Sequence, residues 1–297
     1  MKFGRLTVNA LRYYTVKDTA KRRKINPPYG KHEELIDIPF INDGEYHHKI
    51  DVIYGDKPKK KCCIIDIHGG AYIACGHIDQ YHFGSYFAKK GYDWVSCDYI
   101  VNDGTRSIKD MFDDLYACFL YIFSHLKELK LEDDDFVITG DSAGGHMALT
   151  MAELMCDKEY AKKVGYEFPD VKIKACLVNC PVYDFVHIGD NSLTNSGKKR
   201  MFGETYKDKK LFELFSPRHN IKSLTCPLFV STGKKDFLRA ESLKVPDDMK
   251  GRDNLFQFID LYVDKAVHVH NVVNPLEEEG VYINDQMVDF IEKARNL

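Results

Sequence analysis

No apolar run in this 297-residue chain is long enough to cross a bilayer. The greasiest stretch, Leu115-Tyr116-Ala117-Cys118-Phe119-Leu120-Tyr121-Ile122-Phe123, is short and flanked by Asp and Lys, so it reads as a buried helix. Met1-Lys2-Phe3-Gly4-Arg5-Leu6 leads into polar residues and not into the apolar core of a signal peptide. An excess of either charge is also missing. Forty-five acidic against 42 basic residues leave a net charge of −3, without the basic surplus that gathers nucleic acid or the acidity of a solvating tail. The nine cysteines are odd in number and form no C-x-x-C pair with a matching partner, which argues against a disulfide framework. Most fall inside predicted strands or helices, where a free thiol behaves as a small hydrophobe. With no targeting run, the expected location is the reducing cytoplasm. Twelve histidines, including the adjacent His47-His48, show neither H-E-x-x-H nor a Cys/His zinc spacing, so no metal is expected. Internal repeats are absent, and low complexity is confined to a basic N-terminal run.

What is present is an ordinary globular balance, with 18 Phe and 18 Tyr to fill a core. Length alone suggests about two domains. The pattern argues otherwise. Extended stretches near Leu35–Phe40 and His48–Tyr54 flank Asn42-Asp43-Gly44, a hairpin signal. From residue 60 strands and helices alternate. Strands are expected at Cys62–Ile67, Tyr92–Asp98, Phe136–Thr139, Ala175–Asn179, Leu228–Thr232 and Phe256–Val263. Helices are expected at Asp79–Lys90, Ser107–Lys130, Ala143–Cys156 and Asn284–Ala294. Such alternation predicts an α/β fold: a mostly parallel sheet covered on both faces, with the first two strands as an antiparallel start. Asn191–Lys222 is polar with a few aromatics (Phe202, Tyr206, Phe212, Phe215) and carries no strand, as an inserted lid would.

Two short motifs carry chemistry. Phe136–Thr139 runs into Gly140-Asp141-Ser142-Ala143-Gly144-Gly145 and then a helix. A nucleophilic serine needs such a strand-to-helix turn, which exposes its hydroxyl above the sheet. His68-Gly69-Gly70-Ala71 ends the strand Cys62–Ile67. Glycine amides there can converge on the oxyanion of a tetrahedral intermediate, and the amide of Ala143 would add a donor.

The pairing of these motifs resembles the hormone-sensitive-lipase-like carboxylesterases of the α/β-hydrolase fold, over roughly residues 45 to 297. Ala71 replaces that family's usual third glycine, and is expected to be tolerated because Gly69 and Gly70 supply the donors. Asp98-Tyr99-Ile100-Val101-Asn102-Asp103 stands where a Tyr-Arg-Leu-Ala-Pro run is usual.

The resemblance implies a chain order of Ser, acid, His. Asp236, on the loop leaving Leu228–Thr232, is the expected acid, with Asp260 and Asp264 as rivals. His268 is the expected base by similarity to a His-x-Phe pattern, which makes His270 a packing or rim residue. Tyr72, Tyr81 and His82 follow the oxyanion strand and are expected to line an acyl or alcohol pocket.

The implied function is a serine carboxylesterase acting on small, short-to-medium acyl esters through an acyl-enzyme. It would need no cofactor, no nucleic acid and no stable membrane insertion. An amide or acetyl-sugar hydrolase, arylformamidase-like or deacetylase, would use the same triad. A non-catalytic ligand receptor on this scaffold is a third reading. The expected organisation is one domain spanning 1–297, with segments 1–34 and 191–222 meeting as a small helical cap.

Overall fold

The computed structural model describes residues 31–187 and 202–297. Eight strands form one sheet: β1 (Glu34–Pro39), β2 (Lys49–Ile53), β3 (Cys62–Ile67), β4 (Asp93–Asp98), β5 (Asp135–Asp141), β6 (Ile173–Asn179), β7 (Leu228–Gly233) and β8 (Phe256–Leu261). Their spatial order is β1-β2-β4-β3-β5-β6-β7-β8. β2 runs antiparallel to both β1 and β4, and every other pairing is parallel. The antiparallel start expected from the sequence is therefore present. Pairing closes at Pro39↔Lys49, so the connection through Asn42-Asp43-Gly44 is a longer loop than a two-residue turn.

The parallel strands are short apolar runs because helices cover them on both sides. One face carries α1 (Tyr81–Lys89) and α6 (Glu278–Arg295), which bury Phe83, Phe87, Ile283, Met287 and Phe290 against Ile64, Val137 and Leu177. The other carries α2 (Ile108–Ser124), α3 (Ser142–Cys156), α4 (Lys158–Val164) and α5 (Lys209–Leu214), packed on Ile65, Ile67, Ile138 and Val178. Alternate residues of each strand thus feed opposite cores.

Helix limits follow local chemistry. Ser107 and Asp110 cap α2 reciprocally through side chain and backbone. It stops at Ser124, short of the expected Lys130, where the Ser124 hydroxyl donates back to the carbonyl of Leu120 at 2.7 Å. α4 was not anticipated. Its signals are nonetheless written in the sequence: Asp157 accepts from the amides of Glu159 and Tyr160, and Gly165 closes the helix. α6 starts at Glu278, before the expected Asn284.

Most of the two cap segments, 1–30 and 191–201, lies outside the described residues. The described part, 202–222, is helical and joined to the body. Phe202, Phe212 and Phe215 are buried in the same core as α2 and α3. Phe212 stacks on Phe185 at 4.6 Å and Phe215 on Phe112 at 4.5 Å. The C-terminal ends of β3, β5, β6, β7 and β8 lead respectively to His68, Ser142, Cys180, Asp236 and His268. All the chemistry gathers at this one edge.

Candidate active site

Ser142 sits at the junction of β5 and α3 with φ +55, a left-handed conformation that costs a non-glycine residue about 1–2 kcal/mol. The surrounding backbone enforces it. A Cβ on Gly144 would lie 2.0 Å from the carbonyl oxygen of Ile67, so strand and helix approach closely enough to hold the turn. The Ser142 carbonyl also accepts from the amide of Val182 at 3.3 Å. The side chain stands at the N-terminus of α3, where free amides and the helix dipole favour negative charge.

The expected acid and base meet it. His268 Nε2 lies 2.9 Å from Ser142 Oγ, and His268 Nδ1 lies 2.6 Å from Asp236 Oδ1. Asp236 Oδ1 also accepts from the amide of Leu238 at 2.9 Å, and Oδ2 accepts from the Thr232 hydroxyl at 2.7 Å. Burial pushes the Asp236 carboxyl up. The hydrogen bond and charge of His268, with these donors, outweigh that and hold it below the usual carboxylate range. The rival acids are engaged elsewhere: Asp260 pairs with Arg239 at 2.9 Å and Asp264 with Lys234 at 2.8 Å. His270 is buried, and its Nδ1 donates to the carbonyl of Val267 at 3.2 Å, a packing position. Phe237, 75 % exposed, lays its ring 4.0 Å from the imidazole of His268.

The oxyanion turn differs from expectation in one donor. The amide of Gly69 donates to Asp141 Oδ1 at 3.1 Å and is not free for a substrate. Asp141 is buried and also accepts from Gln80 Nε2 at 2.8 Å. Burial raises its carboxyl, and the bond from Gln80 and the charge of His268 offset this only in part. Beyond Gly69 the chain turns through Gly70 at φ +105, Ala71 at +54 and Tyr72 at +65. A Cβ on Gly70 would fall 2.0 Å from the carbonyl oxygen of Ala74, so glycine is obligatory there. Among the described residues the amides of Gly70, Ala71 and Ala143 have no hydrogen-bond partner. Ala71 thus replaces Gly69 in the set of available donors.

His68 anchors this turn. Its Nδ1 donates to the carbonyl of Gly69 at 2.7 Å, its ring stacks on Tyr99 at 4.3 Å, and its Nε2 lies 3.3 Å from Asp98 Oδ1. Asp98, wholly buried, also receives His47 Nδ1 at 2.8 Å and His77 Nδ1 at 2.6 Å. One carboxylate therefore faces three imidazoles behind the oxyanion turn.

The expected pocket residues fare unevenly. Tyr72 is buried, and its hydroxyl donates to His146 Nδ1 at 2.9 Å, while His146 Nε2 donates to the carbonyl of Phe215 at 2.6 Å. It ties the oxyanion turn to α3 and to the aromatic segment, with no hydroxyl to offer a substrate. Tyr81 reaches to Glu34 on the edge strand β1, and His82 packs edge-on against Tyr81. Sequence reasoning did not single out Asp141, Gln80, His77 or Cys180. Only the Gly-Asp-Ser motif itself pointed near any of them.

One set of potential metal ligands meets among the described residues: Cys180, Asp236 and His268, with ligand atoms within 4.8 Å of one another. Two of the three already share a proton across the Asp236–His268 bond. No helix among the described residues is long and apolar enough to cross a membrane.

Residues 50–241 match the BD-FAE family. The chain is also similar to the probable carboxylic ester hydrolase LipM of Mycobacterium tuberculosis, at 26% identity over 180 residues. That match covers 59% of this chain and 41% of LipM, so it spans less than half of the relative. Among solved structures, esterase B of Lactobacillus rhamnosis superposes with a TM-score of 0.88 at 16% identity, covering 99% of this chain and 95% of that one. The thermostable carboxylesterase EstE1, from a metagenomic library, gives 0.75 at 19% identity over 97% of each chain. The esterase of Pyrobaculum calidifontis gives 0.70 at 19% identity, over 96% of this chain and 92% of that one. Likeness at these identities establishes the fold: an α/β hydrolase, as the sequence led one to expect.

Proposed function

The chain belongs to the BD-FAE family, and on that premise we propose that it is a serine carboxylesterase for small, short-to-medium acyl esters. The observation that carries this reading is the hydrogen-bonded run from Asp236 Oδ1 through both nitrogens of His268 to Ser142 Oγ, at 2.6 and 2.9 Å. Chance burial of polar groups seldom produces a serine, imidazole and carboxylate in that order on a strained strand-to-helix turn.

In this reading His268 Nε2 takes the Ser142 proton as Oγ attacks the ester carbonyl. The carbonyl π electrons move to oxygen, and the amides of Gly70, Ala71 and Ala143 stabilise the resulting anion. Asp236 holds the proton on Nδ1 and so keeps Nε2 an acceptor. The imidazolium then returns its proton to the departing alkoxide oxygen, leaving an acyl-Ser142. Water enters by the same route, with His268 as base, and releases the carboxylic acid. The curated relative's name, a carboxylic ester hydrolase, supports the same chemistry.

The test is a panel of p-nitrophenyl acetate and butyrate, an aryl formamide and an acetylated sugar, each with the unmodified protein and Ser142→Ala. The expected result is turnover highest on the simple esters and reduced in Ser142→Ala on the order of 10⁴-fold or more. Full activity in that variant overturns the mechanism. Preference for the amide or the sugar keeps the mechanism but reassigns the substrate.

A further inference from the structure

Behind the Asp236–His268 bond lies a group that the mechanism above does not use. Cys180 follows the last residue of β6 and takes a left-handed φ of +50, fixed by its amide donating to the carbonyl of Ser231 on β7 at 2.8 Å. Its side chain is fully buried. Its sulfur accepts the amide of Val269 at 3.3 Å. Val269 directly follows His268 and is itself left-handed, with φ +48 and ψ 35. A β-branched residue is a poor occupant of that region, so a partner must hold the backbone there. The same sulfur lies within 4.8 Å of ligand atoms of both Asp236 and His268.

Resting on the reading of Ser142, His268 and Asp236 as a triad, we propose that Cys180 is its positioning residue. One sulfur atom accepts from the backbone that carries the histidine and packs beside the carboxylate that orients it. Acid and base stand on separate loops, after β7 and β8. Among the described contacts the thiol is the side chain that touches both loops from a third strand. Burial keeps it protonated, because burial pushes the Cys180 thiol far above its usual value and the charge of Asp236 adds to this. It is therefore a poor nucleophile. Asp236 receives three donors, the imidazole, the Leu238 amide and the Thr232 hydroxyl, and the thiol packs beside them. Such an enclosed carboxylate has little freedom to turn away from the histidine. Small displacements of a base matter, since about 1 Å of misplacement can cost 10²-fold in rate.

The experiment compares Cys180→Ala and Cys180→Ser with the unmodified protein. Steady-state kinetics on p-nitrophenyl butyrate, thermal unfolding and the NMR signal of the His268 Nδ1 proton are recorded for each. Alanine removes the acceptor for the Val269 amide and the packing beside Asp236, whereas serine keeps an acceptor on a shorter reach. The expected result is a fall in kcat of about tenfold for Cys180→Ala with KM within twofold, largely restored in Cys180→Ser. The Nδ1 proton signal should weaken or exchange faster in the alanine variant and persist in the serine variant. Unchanged kcat and an unchanged Nδ1 proton in Cys180→Ala overturn the proposal. So does a parallel loss of kcat and melting temperature in both variants, which marks a purely structural role. If Cys180→Ala does not fold, a Cys180→Ser protein lacking the Nδ1 proton signal also overturns it. Absence of Ser142-dependent turnover in the unmodified protein is a different failure, that of the triad reading, and the Nδ1 proton still reports on Cys180.

Discussion

Replacing Asp98 by Asn tests how the oxyanion turn is held. Asp98 is wholly buried and faces His77 Nδ1 at 2.6 Å, His47 Nδ1 at 2.8 Å and His68 Nε2 at 3.3 Å. Burial raises its carboxyl, but the bonds from His47, His68 and His77 outweigh that and hold it far below the usual range. Burial lowers His77, but its bonds to Asp98 and Asp37 and the charges of Asp51 and Asp98 carry it above its usual value. Asn keeps one acceptor oxygen and turns an amide N–H₂ toward an imidazole. At least one charge-assisted bond, each about 1.5–3 kcal/mol net, is lost, and a buried charge on His77 loses its nearest counter-charge. The expected destabilisation is about 3–5 kcal/mol, the usual cost of removing one partner of a buried pair. That is a large fraction of a total near 5–15 kcal/mol.

The sign with pH follows from both shifts. The depressed Asp98 stabilises the fold above roughly pH 3.9, and this is lost as pH falls through its folded value. The raised His77 stabilises below roughly pH 6.5, and this is lost as pH rises through its folded value. Both contributions are present together between about pH 4 and 6.5. Urea unfolding at about pH 6 and pH 9 should show a gap between the unmodified and Asp98→Asn proteins that narrows at the higher pH, because the unmodified protein loses its His77 contribution. Esterase kcat/KM should fall as well, since His68 fixes the Gly69 carbonyl. A gap below about 1 kcal/mol at pH 6, or one that widens toward pH 9, would refute the reasoning.

Two further outcomes follow from the same contacts. Tyr72→Phe leaves His146 Nδ1 buried without its donor and should cost about 1–3 kcal/mol in urea unfolding, with KM little changed; a raised KM at unaltered stability would mean that the hydroxyl meets substrate instead. Asp236→Asn should lower kcat by on the order of 10⁴-fold, because an amide nitrogen facing Nδ1 favours the wrong imidazole tautomer. A loss under about tenfold would show that the carboxylate is dispensable.

The sheet was legible because each parallel strand is a short apolar run bounded by turn residues, and burial on both faces makes β3 through β7 read that way. Helix ends were less so. α2 stops at Ser124 through a side-chain bond that competes with the backbone, and periodicity does not encode that. Ser142, Asp236 and His268, named from the motif and the chain order that the resemblance implies, lie within hydrogen-bond reach of one another because each follows the C-terminal end of a parallel strand. At the oxyanion turn one expected donor, the Gly69 amide, is bonded to Asp141. His-Gly-Gly-Ala identifies a turn, but only packing reveals that the carboxylate beside Ser142 takes the first amide. Tyr72 looked like a pocket residue for a similar reason: its partner His146 lies on α3 and is near only in space. Cys180 left no local signal, since its contacts join loops after three different strands.

Treatment with a fluorophosphonate, followed by intact-mass measurement and peptide mapping, tests the central claim most directly. A phosphonylated Ser142 is expected at one adduct per chain, with labelling lost in Ser142→Ala and greatly slowed in His268→Ala. An unlabelled protein, or a label on any other residue that persists in Ser142→Ala, would contradict the account.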